Sequence, residues 1–223
     1  SISDLGEDVK ATMEAMADLN EKAAQTMSDF ETSAATLDTY VATINELANK
    51  SNLSATEQER LKTAVAGYNE ITGSSVSVTD AVNGKLSEGI DVINANTEAW
   101  KRNAEAQALQ ELSIEYQKQA VEAEREHQRA VEEQAAAQKE YDRVVQETMD
   151  KFPQYTEEQI KNAAAASSAG KALEEAKQHT SDAAKTMDAA KESVDDINYS
   201  LAALTEAIAP YKEALDGFGT GFA

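Results

Sequence analysis

A mainly α-helical fold of long coiled-coil helices, gathered into an elongated three-helix bundle with a small α/β head, is what this sequence predicts. Three observations predict it. Apolar residues recur at alternating steps of four and three over long stretches, only two prolines and nine glycines interrupt 223 residues, and the 41% hydrophobic content is rich in alanine with only 5% aromatic. A stripe held at 3.5 residues per turn stays on one face only if its helix winds left-handed around a neighbour, so every such seam needs a partner helix. Alanine makes the resulting core long and thin.

The first helix is expected over residues 1–50, starting near Ser3 and Asp4 with Ser3 as its cap. Its seam has two halves. One is Val9, Met16, Ala23, Phe30, Leu37 and Ile44; the other is Met13, Asn20, Met27, Ala34, Val41 and Ala48. At 1.5 Å per residue this stripe is about 60 Å long. Asn20 is its polar member. It either hydrogen-bonds a counterpart or a backbone group and so penalises shifted registers, or is an ordinary irregularity.

Residues 51–96 read as the head. Ser51 and Asn52 end the first helix, and Ser54-Ala55-Thr56-Glu57 is a capping box that opens a short helix. That helix carries Leu61, Val65, Tyr68 and Ile71 on one face and stops at Gly73. Gly67 lowers its helix propensity by about 1 kcal/mol, so close packing or a bend is expected there. Ser75-Val76-Ser77-Val78-Thr79 alternates at period two and Asn83-Gly84 is a tight-turn dipeptide, which together predict a β-hairpin with Lys85-Leu86-Ser87 as its second strand. Two strands are marginal alone, so the hairpin should rest on the Leu61, Val65 and Tyr68 face and on Ile90, Ile93 and Trp100.

Residues 97–152 read as one long Ala-rich helix, with Tyr116, Ala120, Ala123, His127, Ala130, Gln134, Ala137, Tyr141 and Val144 at seam spacing. Phe152-Pro153 ends it, and Thr156-Glu157-Glu158-Gln159 is a second capping box. A returning heptad helix over residues 153–216 begins with a loose Ala/Ser section. It continues through Leu173, Ala176, Thr180, Ala183, Met187, Ala190, Val194, Ile197, Leu201, Leu204, Ile208, Tyr211 and Leu215. Pro210 should kink or break it, and residues 217–223 form a flexible Gly-rich tail. The three seams can be buried by a bundle within one chain, the first and third helices parallel and the second antiparallel, or by a homo-oligomer associating through the outer arms. Short loops make neighbours of consecutive helices and favour the bundle.

Charge and composition exclude several classes. With 41 acidic against 20 basic side chains the formal net charge is -21, which repels phosphate and disfavours stable nucleic-acid binding and docking on anionic lipid. There is no cysteine, hence no disulfide or thiolate metal site. No run reaches the roughly 18 to 20 apolar residues of a membrane span, and no signal-peptide core follows Ser1. A start without methionine and a Gly-rich end read as cuts through a longer polypeptide.

No phosphate loop, GxSxG elbow, HExxH helix or EF-hand pattern occurs. His127 reads as a packed seam or edge histidine and His179 as a surface residue. Tyr68 and Trp100 read as aromatic core of the head before they read as a binding platform. Met13, Met16 and Met27 are seam filler before they are a promiscuous groove. The sequence therefore nominates no catalytic, cofactor-binding or metal-ligating residue, and no cofactor.

Residues 40–112 resemble the tail tape measure proteins of long, non-contractile-tailed (siphovirus-like) bacteriophages and prophages. The resemblance is carried by TINELANKSNLSATEQERL (43–61), YNEITGSSVSVTDAVNGKLS (68–87) and INANTEAWKRNAEAQA (93–108), about a third of the chain. It implies a non-enzymatic virion component, an internal fragment of a helical ruler and scaffold that sets tail length and is released before DNA ejection. Its implied partners are tail tube and tail-assembly proteins; its implied location is the virion tail, after the host cytoplasm during assembly. The hydrophobic membrane-active segment and the peptidoglycan-cutting motif that some members carry are absent from these residues. The rival reading is a cellular coiled-coil interaction or surface protein whose head binds a partner.

Overall fold

A computed structural model describes residues 2–86 and 89–211, and every regular element among them is helical. These are α1 (Ile2–Leu47), α2 (Ala55–Thr72), α3 (Val78–Val82), α4 (Ile90–Lys151), α5 (Glu157–Ala165) and α6 (Ser168–Ile208), followed by a 3-10 turn at Ala209–Tyr211. They form two compact units. One comprises the residues up to Glu21 with Ser113–Asp196; the other comprises Lys22–Leu112 with the residues from Ile197 onward.

The first unit is a three-helix arrangement with the expected directions. Asp8 pairs with Arg129, Thr12 with Glu126 and Asn20 with Tyr116, so position numbers rise along α1 as they fall along α4. Thr180 donates to the Ala130 carbonyl at 3.1 Å, and Ala137 packs with Leu173 and Ala176, so α6 is also antiparallel to α4. The core is a double file of alanines. Ala123, Ala130 and Ala137 on α4 and Ala176, Ala183 and Ala190 on α6 are all buried, each set spaced by seven. Methyl side chains let helices approach closely while burying little area per residue.

The buried face of α1 is rotated from the expected one. Val9, Met16, Leu37 and Ile44 are buried, as their half of the seam requires. In this unit the other half is taken by Leu5, Thr12 and Leu19, whereas Met13 is 50% exposed. On a helix Thr12 lies about 60° to one side of Val9 and Met13 about 40° to the other, so a modest rotation exchanges them. Asn20 consequently sits at the edge of the seam, where its Oδ1 accepts from the Tyr116 hydroxyl at 2.7 Å. Helix α1 already begins at Ile2, one residue before Ser3.

The second unit has a broader core. Leu37, Val41, Ile44 and Leu47 of α1 meet Leu61, Val65 and Tyr68 of α2 and Ile90 and Ile93 of α4, with Trp100 packed against them. The capping box forms as written: Ser54 Oγ accepts from the Glu57 amide at 3.1 Å and the Glu57 carboxylate accepts from the Ser54 amide at 3.1 Å. Gly73 ends α2 at φ 72°, donating to Asn69 O. Gly67 marks a close approach: a Cβ there would lie 2.3 Å from the Tyr40 ring.

The expected β-hairpin does not form, and no strand occurs among the described residues. Residues 73–77 carry no regular secondary structure, and the backbone partner of Val76 is a side chain. Asn69 Nδ2 donates to Val76 O at 3.0 Å while Asn69 Oδ1 accepts from Val76 N at 2.9 Å, supplying the donor and acceptor a neighbouring strand would have offered. Ser77 then caps α3, its hydroxyl accepting from the Asp80 amide. Asn83-Gly84 does turn the chain, as a helix stop. Gly84, at φ 73°, donates to Ala81 O and Lys85 donates to Asp80 O, the paired bonds of a Schellman ending. Of the expected second strand, Lys85 and Leu86 lie in this turn and Ser87 lies outside the described residues.

Helix α4 starts at Ile90, earlier than expected, because Ile90, Ile93 and Thr97 are buried with the second unit's core or beside it. The returning helix is divided. Thr156 and Gln159 form the second capping box, α5 stops at Ala165, and α6 restarts at Ser168 around Ser167, which donates to Ala164 O and accepts from Gly170 N. Pro210 falls in the 3-10 turn that ends α6. Leu215 and the expected tail at residues 217–223 lie outside the described residues.

Candidate functional site

The residues that sequence reasoning singled out for chemistry are dispersed. Tyr68 is fully buried in the second unit's core and Trp100 packs against the same cluster, so neither forms an open platform. His127 is half-buried on α4. His179 is not a surface residue. Its side chain is 14% exposed and packs over Gly6, where a Cβ would lie 2.5 Å from Nε2, and its Nδ1 is buried without a hydrogen-bond partner. The glycine on α1 is what admits the imidazole, a signal the heptad pattern could not carry.

Several carboxylates form short-range pairs on solvated faces. Arg143 bridges Glu140 and Glu147, Lys161 pairs with Glu157, and Lys177 with Glu174. Such pairs contribute a few tenths of a kcal/mol each. Glu57 is held far below the usual carboxylate range, at about 2, first by the hydrogen bond from Lys50 and then by the Ser54 amide. Glu98 is lowered chiefly by the hydrogen bond from Lys101, with burial opposing. Lys101 is raised: burial pulls it down, but its hydrogen bonds to Glu98 and Asp38 outweigh that.

Glu126 departs from this pattern. It is 3% exposed on α4, its Oε1 accepts from the Thr12 hydroxyl, and its Oε2 has no hydrogen-bond partner. Burial, with Glu122 and Asp8 adding repulsion, raises its pKa. Sequence reasoning placed His127 in the seam at this level. The rotation that buries Thr12 is matched by one that buries Glu126.

Besides a recess lined by Tyr40, Thr43, Glu59 and Arg60, two others among the described residues are open to solvent. One of about 400 Å³ in the second unit is lined by Asn49, Lys50, Asn52, Val82 and Asn83, with the Lys50 ammonium engaged by Glu57. The other, about 420 Å³ in the first unit, lies between the end of α4 and α5 and is lined by Phe152, Tyr155, Ile160 and Ala163. Neither lining contains a histidine or a carboxylate. Among the described residues no group of three His, Asp or Glu side chains could hold a metal ion, and no helix is long and apolar enough to cross a membrane. Comparison with protein-family models, curated proteins and solved structures finds no match to this chain.

Proposed function

We propose that this chain is a non-enzymatic structural segment of a phage tail tape measure protein, a helical ruler and scaffold in tail-tube assembly that leaves the tube before DNA ejection. The observation that carries the reading is the length of uninterrupted helix: 46 residues in α1, 62 in α4 and 41 in α6. A helix converts residue number into contour at about 1.5 Å each, which is the property a ruler needs. Resemblance of residues 40–112 to that family supports the same reading. So does the acidic surface, which does not retain passing DNA. Tail tube and tail-assembly proteins are the partners this reading requires.

The test is removal of whole heptads from α1, α4 and α6 within the full-length protein, with tail lengths measured by electron microscopy. Tails that shorten in proportion to the residues removed support the ruler. Assembled tails of unchanged length refute it and favour the cellular interaction protein.

A further inference from the structure

We propose that Glu126 is an acid-sensitive latch in the first unit: as a carboxylate it opposes the docking of α1 on α4, and taking up a proton on mild acidification tightens that docking.

The geometry sets up the conflict. Glu126 is buried beside the layer formed by Leu5, Val9, Ala130 and Ala183, with one oxygen satisfied by Thr12 and the other by nothing. A buried polar atom without a partner costs free energy, and a buried charge without a counter-ion costs more. Counter-charge is scarce. From α1 it meets Asp8; from α4 it meets Glu122 and Arg129, and that guanidinium is already committed to Asp8 at 2.9 Å. On α6, beside the Ala183 of this layer, stand the half-buried Asp182 and the exposed Lys185. Protonation removes the charge and leaves the Thr12 hydroxyl free to donate as before.

The sign follows from linkage. Unfolded, Glu126 titrates at its ordinary 4.5; folded, its value is higher. The folded chain therefore binds more protons in the interval between the two, so stability rises as pH falls. The gain is complete below 4.5 and is lost as pH rises through the folded value. Glu57, Glu98, Glu140 and Glu157 are shifted the other way. Their contributions are present above 4.5 and fade only as pH falls through their lower folded values, so they do not produce a gain in this window.

The experiment is urea unfolding of the whole chain between about pH 7 and pH 4.5, comparing the wild type with Glu126→Gln and Glu124→Gln. One linked proton changes the folding constant by up to about tenfold per pH unit. Glu124 is exposed, so Glu124→Gln removes one negative charge from the surface of the same helix. The expected result is a wild type that strengthens on acidification, a Glu124→Gln chain that keeps that slope, and a Glu126→Gln chain that loses it. An unchanged slope in Glu126→Gln, or equal flattening in both variants, overturns the proposal. Carboxyl-detected NMR titration of the wild type gives a second reading that needs no variant. A Glu126 midpoint above 4.5 supports the latch, and one at or below 4.5 overturns it.

Discussion

Gly170→Ala separates two accounts of the returning helix in opposite directions. If α5 and α6 were one continuous helix, replacing a mid-helix glycine by alanine would stabilise it by about 1 kcal/mol. The structure places Gly170 in the first turn of α6, folded tightly against the end of α5. A Cβ built on it lies 2.3 Å from Ala164 O, 2.5 Å from Ala165 O and 2.7 Å from Ala165 C. These are backbone atoms of a turn already fixed by Ser167 and by the bonds from Ala166 to Ala163 and from Ser167 to Ala164, so they cannot step aside as a side-chain tip would. Overpacking of this kind costs about 1–3 kcal/mol. Set against the propensity gain of about 1 kcal/mol, the substitution should give no stabilisation and destabilise by up to about 2 kcal/mol. The measurement is urea denaturation followed by far-ultraviolet circular dichroism. Stabilisation by the full propensity increment would show that the break between α5 and α6 does not exist.

Asn69→Ala removes the clamp on Val76 and leaves a part-buried amide and carbonyl unpaired, at a cost of about 1–3 kcal/mol; faster hydrogen exchange at Val76 is the local check, and unchanged exchange refutes the clamp. Tyr68→Phe deletes a buried hydroxyl that has no partner, so it should leave stability unchanged or raise it by up to about 1 kcal/mol. A clear loss in thermal unfolding would mean that the hydroxyl is bonded.

Much of the fold was legible because its signals are local and repeated. The alanines of α4 and α6, the Leu37, Val41 and Ile44 run, both capping boxes, the Gly73 stop and the Pro210 ending each follow from a rule that spans a few residues. The misreadings arose where two local rules compete. The alternation at residues 75–79 satisfies the strand pattern, yet Asn69 lies within reach and completes the backbone bonds that pairing would have made. Asn83-Gly84 serves a hairpin or a Schellman ending equally well, and the five-residue helix before it decides between them. Which side of the α1 stripe turns inward is a rotation of a few tens of degrees, set by partner helices rather than by the stripe. That rotation exposes Met13 and buries Thr12, and a matching one of α4 brings Glu126 inside, so this buried carboxylate was hard to read from sequence.

The two units distribute their burial differently, and this bears on which length changes the fold can tolerate. In the second unit Tyr68, Leu61, Val65, Leu37, Ile44 and Leu47 are all essentially inaccessible, and each large side chain buried contributes about 1.5–3 kcal/mol. Their neighbours are not interchangeable, because α2 fits α1 through one glycine and one tyrosine. In the first unit the α4 and α6 contacts repeat every seven residues with the same small side chain. Removing seven residues from both helices brings alanine back against alanine, provided that α1 is shortened by the same number. Such a matched deletion should cost about one layer of alanine methyls together with the α1 side chains packed on it, and preserve the register. Deleting seven residues from α1 between Leu37 and Leu47 should instead dismantle the second unit's core. Length changes that preserve folding are therefore confined to the first unit's repeating register, which is where the proposed ruler would vary its length.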